Sequence, residues 1–267
     1  SNVDILYAIN QTGVDFTSLT IPASYTGKIG NPNQNGTYRE YRDKFLICGA
    51  TTCNIGAGEG AGSGRLKLNF LAIATTINVY KTGPTAEQGF PSLMLLGTSI
   101  TALNITEGDV GVAVEATQVS TITTVRLGYE NSPSTDGKLV LGSGCSLTTI
   151  LQSGGSLEIN SAFTTLTMTE GTTTIKGAGT KTTINCRGGK LIYNSVGTIT
   201  TLNLAGFIDF SQDQRALTIT NAVQMYKGAR LYDPHARVTF SAGIVLNQCR
   251  IEDVDIDVGV NRTLTPS

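Results

Sequence analysis

The run Glu252-Asp253-Val254-Asp255-Ile256-Asp257-Val258 concentrates carboxylates in a chain otherwise sparing with charge. Extended as a strand, it sets Asp253, Asp255 and Asp257 on one face at intervals of about 6.6 Å and turns Val254, Ile256 and Val258 inward. Three carboxylates in a row have the chemistry to ligate calcium or to supply an acid and a base. The simpler expectation is a solvated acidic stripe that opposes end-to-end association or meets a basic partner surface. Glycan cleavage would draw its two carboxyl groups from Asp209, Asp213, Glu252 and Asp253. The lack of tryptophan and the 6% aromatic content argue against it, because sugar sites commonly use flat apolar surfaces with a polar edge.

The remaining chemical candidates are weaker. His235 is the single histidine, which excludes any site needing two histidine ligands. It could serve a serine or cysteine nucleophile, but a lone histidine in a turn after Pro234 is expected to be structural. The glycine-rich stretch from Gly56 to Gly64 resembles a phosphate loop only in composition. The residues that follow, Arg65-Leu66-Lys67-Leu68-Asn69-Phe70, alternate like a strand, whereas a nucleotide loop leads into a helix. Tyr38, Arg39, Tyr41, Arg42 and Lys44 interleave aromatic and basic side chains, the types enriched at contact hot spots. They are the first candidate for a partner surface, and a cap packed on the first turn of the fold explains them equally well. Neither a metal nor a cofactor is expected, and the chain is read as a non-enzyme.

The elements that would position these residues follow from composition and repeats. Forty per cent apolar residues suffice for a core, and 39 threonines and 31 glycines point to an all-β chain. Nineteen basic against twenty acidic residues give a net charge of −1, so no global field draws nucleic acid or an anionic membrane. The five scattered cysteines, Cys48, Cys53, Cys145, Cys186 and Cys249, form neither a disulfide framework nor paired zinc motifs, and are expected as buried thiols. The opening Ser-Asn-Val-Asp carries no signal-peptide pattern and no apolar run approaches a membrane span. Synthesis in a reducing cytoplasm is expected.

One five-residue element recurs: TTCNI at 51–55, TTINV at 75–79, TALNI at 101–105, TTVRL at 123–127, TTILQ at 148–152, TTLTM at 164–168, TTINC at 182–186 and TTLNL at 200–204. Successive copies start 24, 26, 22, 25, 16, 18 and 18 residues apart. A second element, GSLEI, GTTTI, GKLIY and GFIDF, lies between the later copies from residue 155 onward. Both alternate with period two, the signature of strands. Ile150, Leu166, Ile184 and Leu202 should form one inward row, and Leu157, Thr173, Leu191 and Ile208 the row facing it. Neither row buries itself alone, so the expected fold is a single-stranded parallel β-helix, a β-solenoid of about 8–10 coils with longer coils in its N-terminal half. Gly154, Gly155, Gly171, Gly188, Gly189 and Gly206 are expected to supply positive φ at the corners. The longer coils leave room for loops at residues 83–89 and 131–137.

The chain divides into an N-terminal arm or cap (1–45), solenoid coils (46–210) and irregular final coils with a tail (211–267). The outward threonines Thr149, Thr165, Thr183 and Thr201 raise the idea of a hydroxyl array suited to ice. A regular pair would need threonine two residues later, where Leu151, Thr167, Asn185 and Asn203 stand, so strand formation is their expected role.

The Thr-Thr-φ-Asn-φ copies, their Gly-x-φ-x-φ partners and the closing Asn261-Arg262-Thr263-Leu264-Thr265-Pro266-Ser267 resemble β-helical virion proteins of tailed phages and prophages. The likeness spans roughly residues 35–267. It implies a structural virion protein of the capsid decoration, cement or head-fibre type, made in the host cytoplasm and located on the capsid surface. It further implies a homotrimer whose partner is the major capsid protein or another virion protein. A tail fibre or tailspike that binds a receptor or glycan, or depolymerises it, is the alternative. No catalytic residue carries over from the resemblance.

Overall fold

A computed structural model of the chain describes residues 20–21, 28–29, 46–49, 51–55, 66–70, 73–82, 91–128 and 137–259. Among these residues, 22 strands join in one parallel stack, and the fold is an all-β parallel solenoid of about eight turns. No helix among the described residues is long and apolar enough to cross a membrane.

The recurring element is the unit of stacking. Register aligns Cys53, Ile77, Leu103, Val125, Ile150, Leu166, Ile184 and Leu202 rung over rung. All eight are fully buried. Two residues further along each strand a second row runs Val79, Ile105, Leu127, Gln152, Met168, Cys186, Leu204 and Met225. The facing row holds Val110, Leu139, Leu157, Thr173, Leu191, Ile208 and Leu231. Each apolar side chain removed from water in these rows contributes about 1.5–3 kcal/mol, and the strand main chains satisfy one another between rungs.

In the middle of the rod one strand serves two faces. Cys145–Ile159 stacks its first arm on Ser120–Leu127 and its second on Lys138–Leu141, with the register shifting between Gln152 and Ser156. In the last coils the same path breaks into short strands, Leu217–Ile219, Val223–Met225 and Arg230–Tyr232, then Val238–Phe240, Ile244–Leu246 and Asp255–Asp257. At the other end Thr20–Ile21 and Lys28–Ile29, within the stretch read as an arm or cap, pair in parallel with Leu46–Cys48 and Thr52–Ile55.

The corner glycines divide by cause, which corrects part of the expectation. Gly155, Gly171 and Gly189 do adopt positive φ, whereas Gly154, Gly188 and Gly206 do not. Gly188 is required by proximity: a Cβ there would stand 2.1 Å from the Thr169 carbonyl oxygen one coil below. Gly171 answers to both causes, with φ +85 and a hypothetical Cβ 2.5 Å from the Gly155 oxygen.

On the outer side of the recurring element, each rung begins with threonine: Thr51, Thr75, Thr101, Thr123, Thr148, Thr164, Thr182 and Thr200. The register of the residues beside them places these in one column. Next to it runs a second column, Thr52, Thr76, Ala102, Thr124, Thr149, Thr165, Thr183 and Thr201.

Candidate functional site

Two groups of polar side chains stand out, one on the surface of the C-terminal coils and one inside them. On the surface, rung-to-rung pairing stacks Lys190, Phe207, Arg230 and Asp255 in one outward column and Ile192, Asp209, Tyr232 and Asp257 in the next. Phe207, Arg230, Leu231, Tyr232, Asp255 and Asp257 line a shallow depression of about 200 Å³. Lys190 and Arg230 flank the Phe207 ring at 5.5 and 5.0 Å from its centre. Arg230 also donates to Asp255 at 3.2 Å, and Lys190 lies 3.4 Å from Asp209.

The acidic stripe is only partly as expected. Asp255 and Asp257 share the exposed face of one strand, with Ile256 turned toward the core. Asp253 does not join them. It closes the 3-10 turn Ile251–Asp253, where its Oδ2 accepts the Arg250 backbone N–H at 2.9 Å and Oδ1 lies 3.7 Å from Lys227. A short side chain bonding a nearby backbone N–H competes with strand extension, and that local bond prevails here. No group of three or more His, Cys, Asp or Glu among the described residues is placed to hold a metal ion.

The carboxylates considered for glycan cleavage are separately engaged. Burial raises the Asp209 carboxyl, but hydrogen bonds from the Ser211 hydroxyl and backbone, with Lys190 beside it, bring it below the usual range. Asp213 is held at about 2, first by the Arg215 side chain, which donates at 3.0 and 2.8 Å. Glu252 pairs with Arg250 at 3.5 Å on the exposed turn. Asp209 and Asp213, held ionised by their partners, do not serve as proton donors near neutral pH. His235 is exposed in the turn after Asp233. Tyr38, Arg39, Tyr41, Arg42 and Lys44, the Gly56–Gly64 stretch and nearly all of the two candidate loops (83–89 and 131–137) lie outside the described residues. Cys53, Cys145 and Cys186 are buried, and Cys249 is half-buried. Burial pushes the Cys145 and Cys186 thiols up to about 12.

The interior group went unrecognised in the sequence. Lys181 occupies an inward position aligned with Phe163 and Ile199, and it is fully buried. Its ammonium donates to the carbonyls of Gly177, Ala178 (3.3 Å) and Gly179 (2.8 Å). The Ser195 hydroxyl donates to the same Gly177 oxygen at 2.6 Å and accepts the Gly197 N–H at 2.9 Å. Tyr193 donates to the Gly197 carbonyl, and Arg237 to the Ser195 carbonyl. Asp233 accepts the backbone N–H groups of Arg237 and Val238 at 3.1 and 3.0 Å. Serine, tyrosine and lysine together have the makings of nucleophilic chemistry, yet Lys181 and Tyr193 are wholly shielded and Ser195 is 1% exposed. The arrangement ties the corner at 177–179 to that at 195–197, and Arg237 reaches past the corner at Asp213 to join them. A lysine at a position held elsewhere by Phe163, Leu147 and Ile199 was the available signal.

Burial pushes the Lys181 ammonium down to about 8. Its folded value lies below the unfolded one, so the charged form opposes folding at neutral pH, and stability rises as pH climbs from about 8 toward the ordinary lysine value. A Lys181→Met variant is expected to be more stable at pH 7 by about 1–3 kcal/mol. Gly177 keeps its Ser195 donor, and Ala178 and Gly179 are exposed to water. Urea unfolding of both proteins from pH 7 to 10.5 checks this: the gap between them should close with rising pH. A variant less stable than the parent at pH 7 would contradict the assignment.

The chain matches no protein-family model, and neither the curated proteins nor the solved structures contain a significant match to it.

Proposed function

We propose that the chain is a structural virion protein of a tailed phage, of the capsid decoration or cement type, which binds and stabilises the head surface as a homotrimer and catalyses no reaction. The observation that carries this reading is the uninterrupted rod: eight aligned core positions from Cys53 to Leu202, all fully buried. Such a stack is stiff without metal or cofactor, because every strand is held by the rungs on either side of it. Surface charges are largely neutralised where they stand, by Lys176 with Glu158, Lys190 with Asp209 and Arg230 with Asp255. With a net charge of −1, many copies can crowd on a shell without strong mutual repulsion.

The alternative is a tail fibre or tailspike-type protein that binds a receptor or glycan. The depression beside Tyr232, with carboxylate acceptors and a guanidinium donor, is what favours it. Quantitative mass spectrometry of purified particles separates the two. Copy numbers comparable to the major capsid protein are expected for a head protein. A handful of copies per particle points to the tail, and absence from particles removes both readings.

A further inference from the structure

The outer face built on the recurring element has a regularity that neither folding nor decoration of a shell requires. Its leading column is threonine at all eight rungs, solvent-exposed from Thr51 to Thr182 and half-buried at Thr200. The second column differs from threonine only at Ala102. This alters the expectation drawn from sequence, which sought threonine pairs two residues apart. Leu147 and Ile150 both point inward, so Thr148 and Thr149 between them both face out, and the pair is made of adjacent residues.

One column of this face is bonded from rung to rung. In the third column Asn78 donates to Asn54 and Asn104 to Asn78, both at 2.9 Å, and Asn203 donates to Asn185 at 2.7 Å. Asn104 also accepts from Arg126 at 3.2 Å and Asn185 donates to Thr167 at 3.1 Å, so this column's hydrogen bonds run along the rod. The hydroxyls of the leading threonine column make no hydrogen bond to any described residue. They form a row of free donors and acceptors, each beside a methyl group, on strands whose positions are set by the core beneath.

What such a face fits is narrowed by what it lacks. Arg126 is the sole charged residue in the three columns from rung 51 to rung 204, so a polyanion or a mineral surface gains nothing there. The columns carry no aromatic side chain, which leaves crystalline polysaccharide without a stacking platform. They also lack the Trp and Tyr anchors of protein hot spots. A strip of eight rungs, roughly 38 Å long and about 10 Å wide, falls short of the ~800 Å² per side of a stable protein interface. An uncharged partner gains from all the rungs at once only if its own groups repeat at the rung spacing of about 4.8 Å. Ice is uncharged and flat, it bonds hydroxyls, and the oxygen repeat along the a axis of its hexagonal form is close to that spacing.

We propose that the threonine face of the rod, centred on Thr123, Thr148 and Thr164, binds ice. Thr123 and Thr164 are exposed and sit two rungs apart. Single-crystal growth in a nanolitre osmometer, with the whole chain as sole solute, tests the proposal. The expected result is faceted crystals and a measurable gap between melting and growth. A Thr123→Tyr/Thr164→Tyr variant, its fold checked by far-UV circular dichroism, should lose that gap by at least about tenfold, because neighbouring rungs no longer engage together. An Arg250→Ala variant, altered on an exposed turn away from this face, should keep it. Round, unshaped crystals with the parent chain overturn the proposal, as does shaping that survives in the tyrosine variant. Retention of the chain on crystalline cellulose without any effect on ice would equally reject ice as the occupant.

Discussion

A Gly142→Ala variant is expected to lose more than about 3 kcal/mol of stability, placing it among the most damaging single substitutions. The added Cβ would stand 1.6 Å from the Ala113 carbonyl oxygen and 2.4 Å from its carbon. Neither atom is free to retreat. Ala113 is buried, holds φ +46 and donates its N–H to Leu95 at 3.1 Å, while Gly142 itself donates to Val112 at 2.8 Å. Relief requires two coils to move apart. Gly243 is the control: it has φ +78 but nothing within 4 Å of its hypothetical Cβ, so alanine there meets only the backbone penalty of about 1–2 kcal/mol. Thermal unfolding followed by circular dichroism should rank the parent above Gly243→Ala, and that variant well above Gly142→Ala. Equal losses at the two sites would show that coil proximity adds nothing to the cost at Gly142.

Replacing Arg237 with alanine is expected to lower stability by about 3–5 kcal/mol. The guanidinium is completely buried, with Nη1 3.6 Å from Asp213 and Nη2 donating to the Ser195 carbonyl, so its removal empties a large volume and takes one cation from Asp213. Nε and Nη1 make no hydrogen bond, so the arginine is itself imperfectly satisfied. Arg237→Met, which refills most of the space and buries no charge, should therefore lose distinctly less than Arg237→Ala. The acid limb gives a second readout. Asp213 is held at about 2, below its unfolded value, and this contribution is present above the ordinary carboxylate range and lost as pH falls through about 2. Without Arg237 the pH of acid unfolding should move up. A midpoint that stays put, with stability unchanged, would show that Arg215 alone sustains Asp213.

The core rows were legible because period-two alternation and a constant Thr-Thr start identify inward residues without any knowledge of their neighbours. Ile150, Leu166, Ile184 and Leu202 align as the spacing predicts. The polar exceptions were visible but their partners were not. Gln152 stands where neighbouring rungs place Leu127 and Met168, and Thr173 where they place Leu157 and Leu191. Only the stacked coils show that the Thr173 hydroxyl bonds the Gln152 side-chain oxygen, while the Gln152 amide reaches the Gly154, Gly155 and Thr172 carbonyls. Lys181 is satisfied by residues 177–179, a turn without repeat pattern. Asp253 was counted into a strand by its spacing from Asp255, because a local turn and a strand share that interval in sequence. Proximity glycines such as Gly142 and Gly188 carry no local mark that separates them from turn glycines.

A ladder of near-identical rungs invites its own error during folding. A coil that docks one step out of frame still meets threonine outside and isoleucine or leucine inside, so most of the sequence cannot tell a correct alignment from a shifted one. Gln152 and Thr173 can. Each is fully satisfied only opposite the other, and a slipped coil would leave a buried amide or hydroxyl unpaired at about 1–3 kcal/mol apiece. The polar interruptions of this core thus act as keys, giving one threading of a repetitive chain an advantage over its near copies.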